Sequence, residues 1–342
     1  MTLRTSLAAT SLLLGAALLA SGAPAAAEDK LVILASAQGS VNYAQALAIG
    51  VLLKDKAGIE SLVSGAAGPQ IWLNQIDAGE GQLGMPNAVD ALQAQEGKPP
   101  NYRKPLKNLR LVSVTYSFYN GVVTPVASGI TRLEDARGKR VAGVYVAHQT
   151  CLDISTAQLA SVGLGWNDVT IVPVQSSAAG GEALKAGRID VDPCAPTNQA
   201  ILQETHVTKP LRFISIGHGE AVERRFRETF PTGRAVMVPK GTSFGIVEDT
   251  WVWQYDFYLV TGKQVSNDRI YAITKTLWNG LADLANINPD FKTMEQGRMA
   301  DPSATFNIPY HEGAVRLYRE QGKWSASMEA RQQALLKQIG DH

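Results

Sequence analysis

Residues 130–150, ITRLEDARGKRVAGVYVAHQT, run from a short acidic helical turn through the basic turn Gly138-Lys139-Arg140 into an apolar run, 141–146, and then into small polar residues that open a helix. That order describes a strand emptying into a loop at a helix N-terminus, which commits this part of the chain to an α/β arrangement. The N–H groups left free at such a start point outward along a favourable dipole. They can hold a carboxylate or phosphate without any charged side chain. The same spacing also suits an ordinary strand-to-helix turn that binds nothing.

The unit recurs along the chain. Leu31-Val32-Ile33-Leu34 is apolar without alternation, as a strand buried on both faces would be, and it ends in Ser36-Ala37-Gln38-Gly39-Ser40 before a helix that carries Asn42 and Tyr43 in its first turn. A second strand over 59–63 leads into Ser64-Gly65 and a helix to about Ala78, and a third over 82–85 leads to Pro86-Asn87. Asn87 suits the cap of a helix that begins at Ala88, and it can also face a ligand. Residues 109–125 are long, β-rich and aromatic, which predicts a strand that leaves one lobe and enters the next. Tyr116 and Phe118 then sit near the hinge, either over a solute or in ordinary core packing.

Beyond it, strands over 141–146, 169–174 and 189–192 alternate with helices over 152–162 and from Ser176 to Ala186. In a right-handed βαβαβ unit the first and third of these strands are neighbours, so Cys151 and Cys194, each just past one of them, share a carboxyl edge. A disulfide is expected there, with two free thiols as the alternative. The stripe Trp251, Trp253, Tyr255 and Phe257 reads as core, and helices over 268–285 and 312–321 cover the first lobe.

The length of 342 residues suits two lobes, each with its own core. Residues 1–27 read as an export leader: Arg4 is the basic start, 7–20 form a short apolar run, and Ala25-Ala26-Ala27 offer a cleavage site. That run is shorter than the ~20 residues needed to span a bilayer. Removing the leader takes the basic count from 32 to 31 against 31 acidic residues, so the mature chain is formally neutral. Nothing in that balance favours nucleic acid or an anionic membrane surface. Export implies an oxidising, periplasmic compartment.

Ile130-x-x-Leu133-x-Asp135-x-x-Gly138-Lys139-Arg140-Val141 resembles the start of the second lobe in solute receptors of TRAP (tripartite ATP-independent periplasmic) transporters, of the TAXI type. Residues 105–110, 271–277 and 311–319 are similar to that family as well, in family order. The resemblance implies a two-lobed, type II-like periplasmic binding protein, each lobe a mostly parallel sheet flanked by helices and the lobes joined by two crossover segments. The lobes would comprise residues 28–120, 121–234 and a return segment 235–342. It also implies a small carboxylate solute such as glutamate or 2-oxoglutarate, membrane subunits of a TRAP transporter as partners, and a monomer without a cofactor.

By the same likeness the cleft is lined from the loops holding Ser36, Gln38, Gly39, Asn42 and Tyr43, from Ser64 and Gly65, from Asn87, and from His148-Gln149-Thr150. This chain keeps Gly39, Tyr43 and Thr150 where the family has them, and departs at Ala37, Gln38, His148 and Gln149. His148 either donates to a carboxylate or faces solvent. Thr150 suits a helix cap as well. Arg234, near the second crossover, is the candidate guanidinium clamp, with a surface ion pair as the alternative.

Catalysis finds little to stand on. Cys151 and His148 are three residues apart across a turn, no HExxH or other zinc spacing occurs, no phosphate-loop lysine motif is present, and no GxGxxG follows a strand. The composition and loops favour a binding protein. A receptor serving an ATP-driven importer or a sensor kinase is the other reading.

Overall fold

The computed structural model describes residues 30–99, 102–301 and 306–341. The expected leader, 1–27, lies outside them. Among the described residues no helix is long and apolar enough to cross a membrane.

The first quarter of the chain is parallel α/β. Strand β1 (Leu31–Ser36) is followed by helix α1 (Val41–Ala57), β2 (Ser61–Ala66), α2 (Pro69–Ala78), the short β3 (Leu83–Gly84) and α3 (Ala88–Glu96). β1 lies between β2 and β3 and pairs in parallel with both. Its centre, Ile33 to Ala35, is almost wholly buried, which is why the run carries no polar alternation. Each helix here stops on a glycine in the left-handed region, Gly58, Gly79 and Gly97, whose N–H closes the last turn.

β4 (Leu109–Pro125) is one strand of 17 residues and is buried over nearly all its length. Next come β5 (Arg140–Gly143), α4 (Gln149–Ser161), β6 (Thr170–Pro173), α5 (Ser177–Lys185), β7 (Asp192–Pro196), α6 (Ala200–Thr208), β8 (Leu211–Ile214) and α7 (Glu220–Thr229). The chain then returns along β9 (Arg234–Val238) and β10 (Thr250–Gly262) into α8 (Asn267–Asn279), α9 (Leu281–Ile287), α10 (Gln296–Met299), α11 (Glu312–Glu320) and α12 (Ala326–Ile339). The strands run β2-β1-β3-β10-β4-β7, with β8 on β4 and β9 on β10, while β5 and β6 form a separate parallel pair. β4 and β10 are antiparallel partners from Gly262↔Leu109 to Trp253↔Asn120, a two-stranded spine shared by both halves.

Four sequence expectations need correcting. The strand expected over 141–146 ends at Gly143, because Val144 and Tyr145 take left-handed φ of 68° and 43°. That turn lets the buried Tyr145 hydroxyl donate to Asp192 Oδ1 at 3.3 Å. The strand expected over 189–192 lies later, at Asp192–Pro196, antiparallel to β4, and Val191 alone bridges in parallel to Val141. Helix α4 begins at Gln149, so Thr150 is inside the first turn and caps nothing. The helix expected over 268–285 is two, α8 and α9, divided at Gly280, where a Cβ would sit 2.9 Å from Leu52 Cδ1.

Candidate functional site

Six helices begin around one cleft. The residues preceding their first turns, Ser40, Gly68, Asn87, His148, Ser176 and Gln199, all line it, and it encloses about 840 Å³, its open mouth included. Three of these residues are polar caps. Ser40 Oγ accepts from Tyr43 N (3.2 Å), Asn87 Oδ1 from Asp90 N (2.8 Å) and Ser176 Oγ from Ala179 N (3.4 Å). Gly68, His148 and Gln199 make no side-chain cap bond. Since the first N–H groups of a helix have no carbonyl within it to reach, each start leaves a positive dipole end beside this space, with uncapped donors apart from the Pro69 nitrogen of α2.

The walls are aromatic and neutral. Trp72, Phe118, Tyr255 and Phe257 supply apolar surface, and no lysine or arginine is among the described lining residues. Asp90 is the only carboxylate among them. Thr150 Oγ1 donates to its Oδ1, and Asn87 Nδ2 donates to its Oδ2 at 2.7 Å. Burial nevertheless raises the Asp90 pKa to about 7, with the Asp153 charge adding to the rise. His148 is half-buried, and loss of solvation pushes its imidazole down to about 4, so the ring is uncharged near neutrality. Two lining side chains hold polar atoms without a partner, Trp72 Nε1 as a donor and Gln199 Oε1 as an acceptor, in residues 1% and 5% exposed. Such atoms are costly in a buried place unless something completes them.

The NMT1-like family model matches residues 33–322. The chain belongs to the NMT1-like family. Its fold recurs in PhnD1 from Prochlorococcus marinus in complex with methylphosphonate, 11% identical, with a TM-score of 0.53 over 86% of this chain and 98% of that one. It recurs too in R. palustris Rpa4515 with adipate, 15% identical, TM-score 0.52, over 91% and 97%. A protein described as a periplasmic transporter is 16% identical, with a TM-score of 0.52 over 90% and 96%. At these identities the likeness is one of fold: the NMT1-like chain has the α/β architecture of periplasmic binding proteins.

In this NMT1-like chain Ser36, Gln38, Asn42, Asn87 and His148 line the cleft. Asn42 spends its amide on the scaffold, accepting from Ser36 N (2.7 Å) and donating to Met85 O (2.6 Å), which holds the ends of β1 and β3 together. The others lie outside the lining. Gly39 is the exposed left-handed residue of the β1–α1 turn. Ser64 and Gly65 are strand residues of β2, paired with Leu34 and Ala35, and Tyr43 packs beside Gly65 instead of over the cleft. Ala67 and Gly68, three residues further on, line the cleft.

Tyr116 lies behind the cleft, donating to Gln45 Oε1 (2.6 Å), with its ring stacked on Phe257 at 5.2 Å. Gln149 Nε2 donates to Asp153 Oδ1 at 2.8 Å, and Thr150 supports Asp90 from behind. Arg234 opens on a different depression, its Nε donating to Gln254 Oε1. Cys151 and Cys194 form a disulfide with Cα atoms 5.4 Å apart, and Cys194 lines the cleft. Sequence reasoning passed over Trp72, Asp90, Asn120, Gln199 and Tyr255 as site residues. Trp72, Asp90 and Gln199 stand at helix starts, a positional signal, whereas Asn120 and Tyr255 lie inside β4 and β10, where a buried strand residue carries no such mark.

Proposed function

We propose that this NMT1-like chain is an exported, monomeric receptor that closes two lobes over a small organic carboxylate, glutamate or 2-oxoglutarate being the type, and passes it to the membrane subunits of a TRAP transporter. The lobes are residues 28–120 with 235–342, and residues 121–234. The observation that carries the reading is the convergence of six helix starts on one cleft without a lysine or arginine among its described lining residues. A carboxylate there exchanges water for main-chain N–H donors, while its carbon skeleton lies against Trp72, Phe118, Tyr255 and Phe257. A neutral imidazole at His148 adds a hydrogen-bonding group without a charge. Binding without catalysis agrees with Cys151 being held in a disulfide, which leaves no thiolate beside His148. The TRAP partner rests on the likeness of residues 105–110, 130–141, 271–277 and 311–319 to TAXI receptors.

The test is a thermal-shift series on the mature protein with 2-oxoglutarate, glutamate and succinate beside their uncharged amides. A ligand that binds only the folded chain stabilises it by about 2.7 kcal/mol at a hundred times its Kd. Carboxylates are expected to raise Tm and the amides to leave it. A rise with the amides alone would overturn the anion reading. Uptake in vesicles driven by an ion gradient without ATP is expected for the transport step.

A further inference from the structure

β4 and β10 have two different faces. Residues 118 and 257 turn aromatic rings to the cleft, while the alternate residues Ser117, Gln254, Asp256 and Tyr258 line a second open depression of about 1340 Å³, mouth included, and Tyr255 borders both. Three arginines from three elements reach this second depression: Arg227 near the end of α7, Arg234 at the start of β9, and Arg298 in α10. Asp256 is the one carboxylate among its described lining residues.

The charges there do not cancel. Arg298 spends Nη2 on Asp256 Oδ1 and Nη1 on Ser117 Oγ, both at 2.9 Å. Arg227 spends Nη2 on Glu223 (2.8 Å) and Nε on Gly233 O (3.2 Å). Arg234 is exposed, donates Nε to the neutral Gln254 at 3.1 Å, and has no carboxylate partner among the described residues. Each guanidinium carries five N–H donors in a planar fork, so against the described residues all three keep donors to spare. Thr232 lines the same wall with a shielded hydroxyl oxygen that has no partner.

We propose that this basin is a second anion site, separate from the solute cleft, that takes a small multivalent oxyanion of the phosphate or tricarboxylate kind. A compact anion with three or four oxygens can be shared among forks arriving from α7, β9 and α10. A monocarboxylate would satisfy one fork and leave the rest as they are. The proposal does not depend on what occupies the cleft.

Calorimetric titration of the mature protein with inorganic phosphate tests it. One saturable site per chain is expected, weakening as salt is raised. Arg234→Gln is expected to weaken it about tenfold, the effect of losing a charge-assisted contact, and Arg298→Gln to weaken it as well. Gln38→Trp, which crowds the mouth of the cleft, is expected to leave it unchanged. Because Arg234 is exposed, its variant should fold, and thermal unfolding would show that it does. Absence of a saturable isotherm, indifference to Arg234→Gln, or loss of the isotherm in Gln38→Trp would each overturn the proposal. Only the last would place the anion in the cleft.

Discussion

Ser177 lines the cleft with a backbone N–H and a hydroxyl, the hydroxyl donating to Cys194 O, and the two can be separated. It is the first residue of α5, and Ser176 before it is extended (φ −157°, ψ 176°), the conformation a following proline requires. Ser177→Pro therefore deletes one amide donor and keeps the helix. Ser177→Ala keeps the amide and loses only the Oγ bond to Cys194 O (2.9 Å). If main-chain donors hold the solute, the proline variant binds a carboxylate roughly tenfold more weakly, a bond to a charged group being worth about 1.5–3 kcal/mol, while the alanine variant stays near wild type. Equal losses in both would move the interaction to the hydroxyl.

Asp90 and His148 pull the pH response in opposite directions. The Asp90 carboxyl titrates near 7 when folded against 3.8 for its ordinary value, so the folded chain holds a proton that the unfolded chain releases, and its contribution to stability falls as pH rises from about 4 to 7. His148 drops to about 4, so the folded chain resists a proton the unfolded chain takes up below about 6.5, and stability falls as pH drops through that range. Asp90 is 5% exposed, and its full swing is on the order of 4 kcal/mol. The Tm of Asp90→Asn relative to wild type is expected to be higher at pH 8 than at pH 5. A difference independent of pH would show that Asp90 ionises normally in the fold. The cap at Asn87 was legible because capping is a local rule, but the reason for Asp90 was not: it is the burial supplied by residues as distant as Thr150.

At the scale of elements, local pattern located the helices and strands well wherever a segment pairs with what the chain order suggests. β4 matches its expected range because an unbroken β-rich run of that length has few other uses. β7 was misplaced because its pairing is tertiary. Asp192–Pro196 holds two prolines, which sequence reads as a loop, yet it pairs with β4 beside a register shift between Gly121 and Val123, where missing donors are tolerated. β5 was overextended for the converse reason, since Val144 and Tyr145 are good strand formers held in left-handed φ by the buried Tyr145 ring.

The Cys151–Cys194 bond ties the first turn of α4 to β7 across 43 residues. It therefore fixes His148 and Cys194 on the same wall of the cleft. Opening it in a Cys151→Ala, Cys194→Ala double variant relieves a loop constraint worth roughly 4 kcal/mol in a chain-entropy account. Chemical denaturation is expected to show a lower midpoint for the double variant and for reduced wild type alike. The variant's midpoint should then be insensitive to reductant, and a reductant response that persisted in it would place the effect elsewhere.

At the scale of the whole molecule, the seam between the halves is narrow and specific. Gln93 Nε2 donates to Asp153 Oδ2 (2.6 Å), Thr150 Oγ1 to Asp90, and Gln70 Nε2 to Ala147 O (2.7 Å). Beside the last of these, Gly68 lies so close that an added Cβ would stand 2.0 Å from Ala147 O, where real Cβ contacts stay beyond 3.0 Å. Gly68 has φ −170°, which any residue adopts, so its lack of a side chain matters here for approach and not for backbone conformation. The helix start after Gly68 is legible in the sequence; that Gly68 meets Ala147 is not, because the contact joins segments 79 residues apart and no local pattern encodes it.

Gly68→Ala should therefore spare each half and wedge the seam by about 1 Å or more. The helix start at Pro69 remains, the cores remain, and the penalty falls on the close approach to Ala147. With the competent state less populated, apparent solute affinity is expected to fall roughly in proportion to its lost fraction, about tenfold for a 1.4 kcal/mol penalty. Small-angle scattering should show a larger radius of gyration that excess solute only partly reverses, at an unchanged unfolding midpoint without solute. Gln70→Ala, which removes one seam hydrogen bond but adds no atoms, is expected to give a smaller shift in the same direction. An affinity for Gly68→Ala equal to that of wild type would mean that the cleft binds without closing, and the two-lobed mechanism would fall with it.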